Sequence, residues 1–168
     1  MNWMVMPLRR YAEFSGRSRR KEYWMFFLGV FLLYLLLVFL LLGTVGAAVI
    51  NSGGGGAAGV GALLGGGIAG LLIVFAWLAL LIPSLAVGVR RLHDIDRSGW
   101  WMMIGYGPYL ASIALTFAGA GATLSGLLSL LSFAGFFVLF VMAVLNGTSG
   151  PNRFGEDPKG GSSAEIFA

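Results

Sequence analysis

Polar and apolar positions along this chain do not alternate with the period of a surface helix or of a half-buried strand. They segregate into long blocks. Tyr23 to Val89 and Ser98 to Asn152 contain no charged side chain at all. One helix needs roughly 20 apolar residues to cross the hydrocarbon of a bilayer, so each block is long enough for two crossings. Each also has a break of small residues near its middle, Gly43–Gly61 in the first and Ala118–Thr123 in the second. The pattern predicts two helical hairpins, an all-α integral membrane protein with four transmembrane helices and both termini cytoplasmic. The expected spans are about 23–42, 63–89, 100–117 and 124–145. Residues 1–22 form a basic interfacial segment before this four-helix domain (23–145), and residues 146–168 form a cytoplasmic tail.

Details within the blocks refine this expectation. Asn51-Ser52-Gly53-Gly54-Gly55-Gly56 reads as a turn outside the membrane, because glycine is a poor helix former. Pro83 predicts a kink whose freed carbonyl neighbouring helices can satisfy. Gly61 with Gly65, and Gly66 with Gly70, have the spacing that lets helix backbones approach. Span three is interrupted by Gly105, Gly107 and Pro108, and a re-entrant segment is its alternative reading. The basic start of 22 residues and the apolar run of 20 exceed the dimensions of a cleavable signal, so the first span is expected to stay as an anchor.

Composition agrees: 58% of residues are hydrophobic and 11% charged, against about 25% charged in soluble domains. Charge then sets orientation. The eleven Lys and Arg comprise Arg9, Arg10, Arg17, Arg19, Arg20 and Lys21, then Arg90, Arg91 and Arg97, then Arg153 and Lys159. None lies in the two hairpin turns. Short loops rich in Lys and Arg stay in the cytoplasm, which places both termini and the central loop there, in a bacterial cytoplasmic membrane. With no cysteine and one histidine, thiolate chemistry and multi-histidine metal sites are excluded; no cofactor is expected.

Three polar segments share the inner face. They are Phe14–Trp24, Arg90–Trp101 and Gly147–Pro158. The sequence FSGRSRRKEYW in the first, RRLHD followed by SGWW in the second, and GPNRFGEDP in the third resemble domain of unknown function 805, the YhaH-like bacterial inner-membrane proteins. The resemblance covers most of the chain and implies a membrane protein without an assigned reaction. Asp96 stands where members of that family often have glycine.

Two readings of the inner face compete. In the first the residues only hold the fold. Arg90, Arg91 and His93 complement the dipole at the end of span two; Asp94, Asp96 and Ser98 cap span three. Trp24, Trp100 and Trp101 anchor the spans at headgroup depth, Gly99, Gly150 and Gly155 make turns, and Asn146-Gly147 stops span four. In the second, Arg17, Arg20, Glu22, Arg91, His93, Asp94, Asn152, Arg153 and Asp157 converge into one hydrogen-bonded site for an anionic lipid headgroup or a partner protein. His93 beside Asp94 could serve as a general base, yet no nucleophile or metal-ligand set accompanies it, so no enzyme is expected. A small transporter or channel subunit for an uncharged or apolar solute is the alternative. No span carries an ionisable residue for a proton relay, and Tyr34, Asn51, Tyr106, Tyr109, Ser112, Thr116, Ser125, Ser129 and Ser132 are the polar lining available. Homo-oligomerisation is open, and nucleic acid is not an expected partner.

Overall fold

The computed structural model describes residues 3–51, 56–119 and 121–159. A short helix α1 (Met6–Arg9) is followed by α2 (Arg20–Asn51), α3 (Gly56–Asp94), a 3-10 turn (Gly99–Met102), α4 (Met103–Phe117) and α5 (Ala122–Val144). Among the described residues three helices are long and apolar enough to cross a membrane, over Arg20–Ile50, Gly66–Asp94 and Ala122–Val144. The segment expected as span three is built as the 3-10 turn plus the 15-residue α4.

The glycine-rich turn is narrower than its composition suggests. Gly43 and Gly46 lie inside α2, and α3 is already helical from Gly56. In lipid an unpaired backbone amide finds no water, so the helix persists through glycines that would break it in solution. Residues 52–55 and Ala120 lie outside the described residues, as does the packing of the Gly61–Gly65 pair. Gly66 does face its neighbour: a Cβ there would meet Val45 Cγ2 at 3.0 Å, whereas Gly70 has nothing within 4 Å.

The chain divides into two compact units. One comprises Met1–Ala12 and Trp24–Ser84, the other Glu13–Tyr23 and Leu85–Ala168. In the first, the N-terminal segment packs on the helices. Met4 Cβ would lie 3.7 Å from a Cβ on Gly29. The Tyr11 hydroxyl donates to the Ala79 carbonyl at 2.7 Å. That carbonyl is the one whose helical partner would be residue 83, and Pro83 has no N–H to give. The freed acceptor expected from the sequence is therefore satisfied by a tyrosine.

In the second unit α4 and α5 form a hairpin whose contact is made by small residues. Ser132 Oγ donates to the Gly105 carbonyl at 2.9 Å. A Cβ on Gly105 would come within 2.8 Å of the Phe136 ring, and one on Gly135 would overlap the Ile104 carbonyl. Five further serine and threonine hydroxyls turn back on their own helices. Thr44 donates to Leu41 O, Ser112 to Tyr109 O, Thr116 to Ser112 O, Ser125 to Ala122 O and Ser129 to Ser125 O.

Candidate functional site

The charged segments of the second unit meet at the C-terminal end of α3, which carries Arg91 and His93 in its last turn. Asp94 is the centre and is 2% exposed. Its Oδ1 accepts from Arg17 Nε at 3.1 Å and lies 3.0 Å from Arg17 Nη2 in an ion pair. Its Oδ2 accepts from Arg91 Nη1, one turn back on the same helix. Two cations thus share one buried carboxylate, and each needs further acceptors to replace lost water.

Backbone carbonyls supply them. Arg17 donates to Thr148 O at 2.6 Å and Gly150 O at 2.7 Å. Arg91 donates to Ala143 O at 3.1 Å and to Leu145 O, while Arg20 donates to Val144 O at 3.0 Å. The last carbonyls of α5 have no following helical turn to bond. Arginines from α3 and from the start of α2 cap them, and positive charge there also suits the helix dipole. Glu22 pairs with Arg90 at 3.1 Å, with side chains 5% and 0% exposed. The backbone joins in through Ser18 N to Arg90 O at 3.0 Å.

The tail closes over this centre. Thr148 N donates to Asp94 O at 2.8 Å, and Asn152 Nδ2 donates to His93 O at 2.9 Å and to Thr148 Oγ1 at 3.0 Å. The Phe154 ring stacks on His93 with centroids 3.9 Å apart and planes 3° from parallel. His93 Nδ1 lies 3.1 Å from the Gly16 carbonyl, which can only accept, so this nitrogen carries the proton. Asp157 accepts from Lys159 N at 2.8 Å and Gly150 N at 3.2 Å. The Lys159 bond first, then the Gly150 bond, outweigh slight burial and hold its carboxyl below the usual range.

All nine residues expected at the inner face fall within this unit, in three grades of burial. Arg17, Glu22, Arg91, His93 and Asp94 are buried; Arg20, Asn152 and Asp157 are half-buried. Arg153 is at the edge, paired with Asp96 at 3.1 Å with side chains 60% and 48% exposed. The expected caps of span three serve elsewhere: Ser98 makes no side-chain cap bond, Asp94 holds Arg17 and Arg91, and Asp96 holds Arg153. Asp96 has φ 56°, the left-handed region that favours glycine. Gly150 and Gly155 are turn residues with φ 77° and 135°. Gly147 is not left-handed; a Cβ there would overlap the Asp94 carboxylate, so close approach explains the glycine.

Arg90, Thr148 and Gly147 were not among the expected site residues. Arg90 had a signal, the acidic Glu22 of the first polar segment, which a cation on another segment could meet. Thr148 and Gly147 act through backbone or bare space, which carry little sequence signal. Beside this centre Arg97 lies 5.3 Å over the Trp101 ring. Ser98, Trp100, Trp101 and Ile104 line a shallow groove of about 260 Å³. Trp100 is 80% exposed.

A helical chain with three lipid-length helices, most of its large apolar side chains outward and its charges gathered at helix ends is an integral membrane protein. Comparison with known proteins gives its family. The model for "Protein of unknown function (DUF805)" matches residues 11–156. Inner membrane protein YhaI of Escherichia coli (strain K12) is 34% identical, over 97% of this chain and 100% of that protein. Inner membrane protein YhaH of the same organism is 35% identical, over 95% of this chain and 98% of that one. No solved structure matches. The chain belongs to the DUF805 family and is an inner-membrane protein.

Proposed function

We propose that the protein is a four-span membrane-bound binding module whose cytoplasmic face engages anionic phospholipid headgroups. The fourth crossing is the 3-10 turn plus α4. At about 2.0 Å per residue for the turn and 1.5 Å for the helix, it reaches roughly 30 Å, the thickness of the hydrocarbon. The absence of Lys and Arg from both hairpin turns supports cytoplasmic termini. Since the chain has no cysteine, single cysteines report topology cleanly. Cysteines at Asp96 and Gly155 react with a membrane-impermeant maleimide only after the inner face is opened. One at Gly54 reacts in intact cells. Labelling of Gly155→Cys from outside overturns the topology.

The observation that carries the binding reading is the division of labour among the cations. Arg17 and Arg91 are buried on Asp94 and on carbonyls, so they fix the platform. Arg97 and Arg153 are exposed at its edge, Arg97 beside the tryptophan groove. Indole rings at headgroup depth next to a guanidinium suit a phosphate joined to acyl chains. Each such cation contributes about 1 kcal/mol toward an anionic surface. In nanodiscs of mixed phosphatidylglycerol and phosphatidylcholine, native mass spectrometry is expected to find the anionic lipid enriched on the protein. The double variant Arg97→Gln/Arg153→Gln lowers that enrichment roughly tenfold or more. Equal retention of both lipids, or an unchanged double variant, overturns the reading.

A transport reading gains no support from Thr44, Thr116, Ser129 and Ser132, whose hydroxyls bond carbonyls one turn back or across the α4–α5 contact. The Asp94 carboxylate and the His93 ring face different partners, so the pair does not form a general-base unit.

A further inference from the structure

The first unit carries a groove that the inner-face cluster does not use. Met4 and Leu8 form one wall, Phe26, Gly29, Val30 and Leu33 of α2 the floor, and Leu80 of α3 the far side, around about 190 Å³. The absence of a side chain at Gly29 lets the N-terminal segment come close without filling the space. The Tyr11–Ala79 hydrogen bond holds that segment against α3. The groove therefore has walls from three stretches of chain. It differs in this from the smooth lipid-facing sides of α2 at Leu36 and Phe39, each 65% exposed.

Its chemistry is two-sided. Every lining residue is apolar, so water inside would lack hydrogen-bond partners. Left empty, the walls would forfeit dispersion contacts. Directly after Leu8 comes exposed Arg9, and residues 3–12 contain no acid. An apolar trough whose wall residue Leu8 is followed directly in sequence by an exposed cation, in an inner-membrane protein, complements a molecule with a hydrocarbon chain and a negative head. We propose that the groove seats one acyl chain of an anionic phospholipid, with the headgroup phosphate on Arg9. A fixed lipid there would act as a wedge holding the N-terminal segment on α2 and α3. The site lies in the other unit from Arg97 and Arg153, so it stands or falls independently of the headgroup reading above.

The full-length protein in nanodiscs containing phosphatidylglycerol with a diazirine on one acyl chain provides the test. After photolysis, peptide mapping is expected to place adducts mainly on Met4–Leu8 and Phe26–Leu33. Leu33→Trp, which fills the floor, lowers adducts there by roughly four-fold or more, the ratio that one lost buried methylene carries. Leu80→Phe narrows the opposite side and should act in the same direction if Leu33→Trp fails to fold. Leu36→Trp, outside the groove, leaves the adducts unchanged. Arg9→Gln equalises labelling by phosphatidylglycerol and phosphatidylcholine probes. Adducts spread over Leu36, Phe39, Leu71 and Phe75 in proportion to exposure would overturn the proposal. So would equal labelling by the two lipids in the unaltered protein.

Discussion

Asp94→Asn is expected to destabilise the protein by about 3–5 kcal/mol, the cost of leaving buried cations without their counter-charge. Arg17 and Arg91 both depend on this carboxylate, and their side chains are 1% and 2% exposed. Asparagine keeps the volume but offers only one acceptor oxygen, and its amide would face a guanidinium as donor against donor. The control is Asp96→Asn, which breaks the exposed pair with Arg153 and should cost at most about 1 kcal/mol. Thermal unfolding in detergent, followed by tryptophan fluorescence, compares the two. The tail offers a local readout, because Arg17 carries its hold on Asp94 to Thr148 and Gly150. In Asp94→Asn, cleavage after Arg153 by trypsin should become faster before the helices melt. Equal stability of the two variants would show that the buried pairs do not organise this face.

The buried network is not itself evidence of net stabilisation, since an apolar replacement of similar shape can match a buried ion pair. What it provides is connection. Three stretches far apart in sequence are joined through donors that can each serve several acceptors: Arg17 before α2, Arg91 at the end of α3, and the carbonyls of α5 and the tail. Arginine suits this because its planar fork stays charged and directs several N–H groups at once. Lysine at position 17 or 91 would keep the charge and lose that geometry.

The hydrophobic blocks were readable because the cost of placing charge in hydrocarbon leaves long charge-free runs. That same uniformity hid the helix ends. Nothing apolar distinguishes Leu42 from Ile50, and α2 runs on to Asn51 through Gly43 and Gly46 because lipid offers their amides no alternative partner. Pro108 appeared as an interruption, yet α4 continues through it. The clustering of Arg17, Arg91 and Asp94 was legible as charge sharing one face. Which pairs form was not, since nearly all acceptors beyond Asp94 and Glu22 are carbonyls, and every residue has one. Pro83 marked a freed carbonyl at Ala79, but Tyr11, 68 residues away, carried no sign that it would reach it.

Pro108 leads to the second large effect. Lacking an N–H, it leaves the Ile104 carbonyl without its partner in the following turn. That carbonyl abuts the backbone of α5 at Gly135. A methyl on Gly135 would lie 2.8 Å from Gly105 N and overlap the carbonyl itself. Both obstacles are backbone, so no side chain can swing aside, and the Ser132–Gly105 hydrogen bond holds the same turn in register. Gly135→Ala should therefore cost about 3 kcal/mol by forcing the helices apart, and Gly135→Val more. Gly126 on the same helix has nothing within 4 Å. Gly126→Ala removes a flexible residue from a helix and should gain up to about 1 kcal/mol. Unfolding by dodecyl sulfate titration reads both variants against the parent. Opposite signs show that the α4–α5 contact is set by backbone approach; a Gly135→Ala protein as stable as Gly126→Ala would mean that the hairpin does not pack at this point.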